Sequence, residues 1–172
     1  MQRLILMRHA KTEPWTEGVD DHARALTPVG HDAAAAMAAA LKSEGWSPER
    51  ALVSTARRTR ETWVHLSAVF GTCEMSLEDD LYLAGERGVS DMIADNDGAR
   101  TLIVISHNPG LHDLSLSILR AAGSHDHQAA IRISAKLPTG AAVLFEAEED
   151  GAFVPAQFRL RNFIKPKDLL NL

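Results

Sequence analysis

The chain has 172 residues, 45% of them apolar and 24% charged, with a net charge of −5. That balance suits one folded domain over 1–172 and excludes a disordered chain. It also argues against nucleic acid as partner, since a phosphate backbone needs a basic face, although a local basic pocket for one phosphate stays compatible with an acidic whole.

The elements follow in chain order. Leu4-Ile5-Leu6-Met7 reads as a short buried strand. It is too short for a signal-peptide core, and no stretch approaches the ~20 apolar residues of a membrane span, so no membrane role is expected. Lys11 to Ala25 is polar, with Pro14 and Gly18, and reads as a loop. Thr27-Pro28 marks a helix start, a capping hydroxyl before a proline suited to the first turn. An alanine-rich helix follows from Asp32 to Lys42, with Gly45 and Pro48 ending it. Ala51-Leu52-Val53 is a second strand, Thr59 to Phe70 a helix stopped by Gly71, and Glu74 to Leu77 a short strand. Cys73 is the single cysteine, so no intrachain disulfide forms, and the expected compartment is the reducing cytoplasm. Val89 to Asp95 reads as a helix, Thr101 to Ile105 as the clearest strand, and Leu111 to Ala121 as a helix. Gly123 to Gln128 reads as a loop and Ile131-Arg132-Ile133 as a short strand. Ala141 to Glu146 and Ala156 to Arg161 form a hairpin turning at Glu149-Asp150-Gly151. Alternating strands and helices predict an α/β three-layer sandwich with a mainly parallel central sheet.

In such sheets ligands bind beyond the carboxyl ends of the strands. Three predicted strand ends carry a common chemistry: Arg8-His9; Ser54 with Arg57 and Arg58; and Ser106-His107-Asn108. Guanidiniums grip phosphoryl oxygens in forked geometry, and a neutral imidazole can attack phosphorus. Any one of these histidines alone would more often be an ordinary polar residue at a strand end. The remaining histidines suggest no metal: His125-x-His127 is the only tight pair, and without further ligands it reads as a polar loop. No metal and no cofactor is expected.

Leu6-Met7-Arg8-His9-Ala10 resembles the Arg-His-Gly signature of the histidine phosphatase superfamily, whose fold is phosphoglycerate mutase-like. Arg24-Ala25-Leu26-Thr27-Pro28-Val29-Gly30 resembles the Arg-x-Leu-Thr-x-x-Gly segment of the SixA-type phosphohistidine phosphatases. Val53 to Thr62 resembles the Ser-Pro-x-x-Arg-Ala-x-Gln-Thr segment, and Ile105 to Gly110 the second-histidine motif. The resemblance implies that His9 attacks the phosphorus in line and carries the phosphoryl group, while Arg8, Arg58 and His107 hold its oxygens, with Asn108 beside them. Arg57 is the less suited neighbour of Arg58. The cationic pocket would do the work of a metal. Three departures stand out: Ala10 for glycine, Thr55 for proline and Glu61 for glutamine.

A general acid is harder to place. Glu78, Asp79, Asp80 and Glu86 lie between the second arginine and second histidine, and Glu86 is the candidate, against a reading of all four as solvated surface charge. Trp15 could border the pocket. The basic tail (Arg159, Arg161, Lys165, Lys167) reads as a solvated edge. The expected substrate is phosphohistidine in a protein. The alternatives are a small phosphate ester, where an enclosing loop and a working acid would be needed, and a phosphate-binding module without catalysis. A mutase role would need more chain around the substrate.

Overall fold

The computed structural model describes residues 1–123 and 127–170. Six strands, β1 (Arg3–Arg8), β2 (Arg50–Ser54), β3 (Glu74–Glu78), β4 (Thr101–Ser106), β5 (Ala142–Glu146) and β6 (Arg159–Ile164), form one sheet in the order β3-β2-β4-β1-β5-β6. The pairs β2–β3, β2–β4 and β1–β4 are parallel, while β5 runs antiparallel to both β1 and β6. The helices are α1 (Pro28–Ser43), α2 (Arg57–Phe70), α3 (Glu86–Ala94), α4 (Gly110–Ala121), α5 (His127–Ala135) and α6 (Pro166–Leu170).

Alternation along each strand divides the apolar side chains between two cores. Leu4, Leu6, Leu52, Leu102, Val104, Val143 and Phe145 face a layer built from α3, α4 and α5. Ile5, Met7, Val53, Ile103, Ile105 and Leu144 face α1 and α2, where they meet Met37, Leu41, Trp63 and Leu66. The result is a three-layer sandwich with a mostly parallel sheet, as the alternating strands and helices predicted.

Local chemistry sets the boundaries. Thr27 Oγ1 accepts from the Gly30 amide at 3.0 Å and caps α1. Gly30 is needed for a second reason: a Cβ there would stand 2.1 Å from the Lys11 carbonyl oxygen, so α1 packs directly on the backbone after β1.

Two expectations are corrected. Ile131-Arg132-Ile133 belongs to α5, not to a strand. In a strand Ile131 and Ile133 would share a face, whereas Ile133 is buried and Ile131 is 63% exposed. The last strand is also displaced, from 156–161 to Arg159–Ile164, because Pro155 opens a 3₁₀ turn over Pro155–Gln157 that ends at the buried Phe158. The basic tail is partly structured too, since Pro166 starts α6. The His125-x-His127 pair lies outside the described side chains. Among the described residues no helix is long and apolar enough to cross a membrane.

Candidate active site

β1, β2 and β4 end side by side, and Arg8 pairs in register with Ser106. The next residue, His9, is fixed by its backbone: its amide donates to Ser106 O at 3.1 Å, and its carbonyl accepts from the Gly140 amide at 2.8 Å. A pocket of about 250 Å³ opens there, lined by Arg8, His9, Arg58, His107 and Asn108, together with Asp21 and Arg24. The structure thus brings together Arg8, His9, Arg58, His107 and Asn108, all singled out from the sequence. Glu86 is not among them: it is exposed in the first turn of α3 and does not line the pocket. Arg57 points elsewhere, onto Glu61 at 2.7 Å. Trp15 is exposed and does not line the pocket either.

The two imidazoles are 5.2 Å apart between ring centroids. His9 Nδ1 lies 2.8 Å from the Ala10 carbonyl oxygen. A carbonyl can only accept, so Nδ1 carries the proton and Nε2 keeps its lone pair. His107 Nε2 lies 3.0 Å from Ser54 Oγ. The Ser54 hydroxyl has no other acceptor among the described contacts, so it donates to Nε2, and the proton of His107 sits on Nδ1. That Nδ1, Arg8 Nε and the acceptor Asn108 Oδ1 are buried with no protein partner. Two buried donors left over in a cationic pocket suit an anionic ligand rich in acceptor oxygens.

Ala10 takes the glycine position without strain. Among the described residues the only non-glycine with positive φ is Leu83, so Ala10 has ordinary dihedrals, and its amide donates to Thr62 Oγ1 at 3.0 Å. Thr55 Oγ1 meets His22 Nε2 at 3.0 Å, and Glu61 accepts from the Leu26 amide at 2.7 Å. These departures tie the polar segment after β1 to α2 and leave the pocket residues untouched.

That segment is where sequence reasoning fell short. It folds back through a bridge between Thr12 and Leu26 and a 3₁₀ turn over Asp21–Ala23, which Asp20 caps by accepting from the His22 amide at 3.1 Å. The turn delivers Asp21 into the pocket. Its carboxylate accepts from Arg24 at 2.7 Å, Tyr82 Oη at 2.9 Å and Arg58 at 3.1 Å, and its carbonyl accepts from Arg58 at 2.6 Å. Arg24 also donates to Thr12 Oγ1 at 2.7 Å. Arg24 stood in a recognisable motif, and its three-residue spacing from Asp21 is the signal that could have pointed to both.

Electrostatics follow from this crowding. Partial burial opposes ionisation of Asp21, but hydrogen bonds from Arg24, Tyr82 and Arg58 outweigh it and hold the carboxyl at about 2. Burial, reinforced by Arg58, Arg8 and Arg24, pushes His9 down to about 3, although its bond to Ala10 opposes this. Burial, then His9 and Arg58, pushes His107 down to about 3. Both rings are therefore neutral at pH 7, and among the described residues one carboxylate and three guanidiniums line the pocket. Between pH 6.5 and 3 the folded chain binds fewer protons at these rings than the unfolded chain does. Their contribution to stability is complete above pH 6.5 and is lost as pH falls through that window. The urea midpoint should drop between pH 6.5 and 5, before carboxylates titrate, and less so in His9→Ala. The ring signals of His9 in NMR should stay neutral down to pH 5; a midpoint near 6.5 would show that the ring is not desolvated.

Comparison with known proteins gives the family and the fold. The family model of the histidine phosphatase superfamily (branch 1) matches residues 4–82. An uncharacterized protein of Mycobacterium leprae is 32% identical over 143 residues, covering 80% of this chain and 86% of that protein. One from Mycobacterium tuberculosis is 34% identical over 140 residues, covering 80% and 85%. The chain belongs to the histidine phosphatase superfamily. Among solved structures, the protein assigned as SixA from Agrobacterium tumefaciens superposes with a TM-score of 0.82 at 22% identity, covering 96% of this chain and 98% of that one. The protein histidine phosphatase SixA complexed with tungstate gives a TM-score of 0.74 at 23% identity, covering 97% and 99%. At those identities the likeness is one of fold.

Proposed function

We propose that this chain is a phosphatase of the SixA type, which takes a phosphoryl group onto His9 Nε2 and removes it from phosphohistidine in a protein. One observation carries the reading: the Nδ1 bond to Ala10 leaves Nε2 unprotonated in a pocket that also holds Arg8, Arg24, Arg58 and His107. The Nε2 lone pair attacks phosphorus in line. The bond from phosphorus to the substrate nitrogen breaks, and its electron pair stays on the leaving imidazole, which takes a proton from solvent. Water then attacks the phosphohistidine, releasing inorganic phosphate and restoring Nε2. Arg8, Arg58 and His107 neutralise charge on the equatorial oxygens in both steps, so no step calls on a metal. The cytoplasmic placement belongs to the same proposal and rests on the lone Cys73 thiol.

The choice of substrate rests on what the pocket lacks. Its one carboxylate among the described residues, Asp21, is held ionised by its partners and is a poor proton donor at neutral pH. Glu86 stands outside. A leaving imidazole needs less protonation than a leaving alkoxide, which favours phosphohistidine over an ester. The test is a panel of phosphohistidine peptide, phosphoserine peptide and aryl phosphates of graded leaving-group pKa. Phosphohistidine peptide should be hydrolysed fastest, aryl phosphates should slow steeply as the leaving group worsens, and Glu86→Gln should change each rate less than about twofold. A loss of roughly 10²–10⁴-fold in Glu86→Gln, confined to poor leaving groups, is what a working general acid would give. It would move the reading to a small phosphate ester.

A further inference from the structure

We propose that a lysine-rimmed groove beside the pocket binds acidic residues that flank the phosphohistidine of a polypeptide substrate. The inference rests on the protein-phosphohistidine reading above and adds a sequence preference to it. The groove, of about 210 Å³, is walled by Lys11, Lys165 and Lys167 over an apolar floor that includes Val29, Pro138 and Pro166. Thr139 lines both this groove and the phosphate pocket, so the two lie side by side. A chain that places its phosphohistidine at His9 can therefore set its next residues across Thr139 against the groove.

Both walls are built rather than fortuitous. The Lys11 carbonyl accepts from the Thr27 amide at 2.9 Å and lies against Gly30, which fixes its backbone on the first turn of α1. On the other side Pro166 packs on Gly140, where a Cβ would stand 2.8 Å from Pro166 Cγ. Lys165 Nζ lies 5.7 Å from the Phe163 ring centroid and 3.7 Å from Asp168, a carboxylate that also meets Arg132 at 3.5 Å. Lys11 and Lys167 have no ion pair among the described contacts and are exposed. Among the described residues three ammonium groups stand against one shared carboxylate, which makes this face positive on a chain of net charge −5. The occupant such a surface selects is an extended segment with carboxylates for the lysines and an aliphatic residue for Val29, which is 42% exposed.

The test compares three phosphohistidine peptides with acidic, neutral and basic flanks, with an aryl phosphate as a check that the enzyme is active. The wild-type chain should favour the acidic over the basic peptide by about tenfold in kcat/KM, through KM, as expected for a few exposed pairs. In Lys11→Glu combined with Lys167→Glu that ratio should fall to one or invert. Because it is a ratio within one variant, a general loss of activity or stability does not move it. Equal hydrolysis of all three peptides by the wild-type chain, or an unchanged ratio in the variant, overturns the groove alone. Hydrolysis of the aryl phosphate and of none of the peptides overturns the groove and the phosphohistidine reading together.

Discussion

His9→Ala is expected to lower turnover by roughly 10⁴–10⁶-fold, the scale seen when a nucleophile is removed from a coupled catalytic set, while leaving the fold in place. His107 is neutral too, but its Nε2 is tied to Ser54 and its Nδ1 proton has no protein partner, so it is set up to donate and not to attack. The fold should survive because the backbone anchors of residue 9, to Ser106 and Gly140, do not involve the ring. Removing a buried, desolvated imidazole should even flatten the acid-side loss of stability, which denaturation at pH 5 would show. A variant that keeps more than a few per cent of wild-type kcat would mean that phosphorus is attacked by something else.

Arg58→Ala should have the next largest effect, about 10²–10³-fold in kcat, the cost of removing one donor aimed at developing charge. The residue is 3% exposed, and two of its nitrogens are fixed by Asp21. Its planar fork can hold that carboxylate and a phosphoryl oxygen at once, which a lysine ammonium cannot. Arg58→Lys should therefore recover little. The loss should appear in kcat more than in KM, because the charge it answers grows toward the transition state. A loss confined to KM would recast Arg58 as a ground-state anchor.

How far these roles could be read from the sequence depended on periodicity. The strand ends at Arg8, Ser54 and Ser106 were legible because each follows a run of buried apolar residues, and the chemistry sits one to four residues beyond. Asp21 and Arg24 were not, because their segment has no repeat. Its conformation comes from the Asp20 cap, the Thr12–Leu26 bridge and Glu61 reaching from α2, contacts between residues far apart in the chain. Glu86 illustrates the opposite failure. It lay in the right interval between the second arginine and second histidine, but an interval does not give direction, and the first turn of α3 leaves it exposed. The helix at Ile131–Ile133 was misread because three alternating residues fit either period, and only burial of Ile133 without Ile131 separates them.

Whether His9 carries the phosphoryl group is read by stopping the reaction early with phosphohistidine peptide and mapping the phosphate on the chain. Phosphate is expected on His9 alone, stable to base, labile to acid, formed and lost at rates consistent with turnover, and gone in His9→Ala. Turnover with no phosphorylated His9 at any time, or label on His107 that persists in His9→Ala, would contradict it.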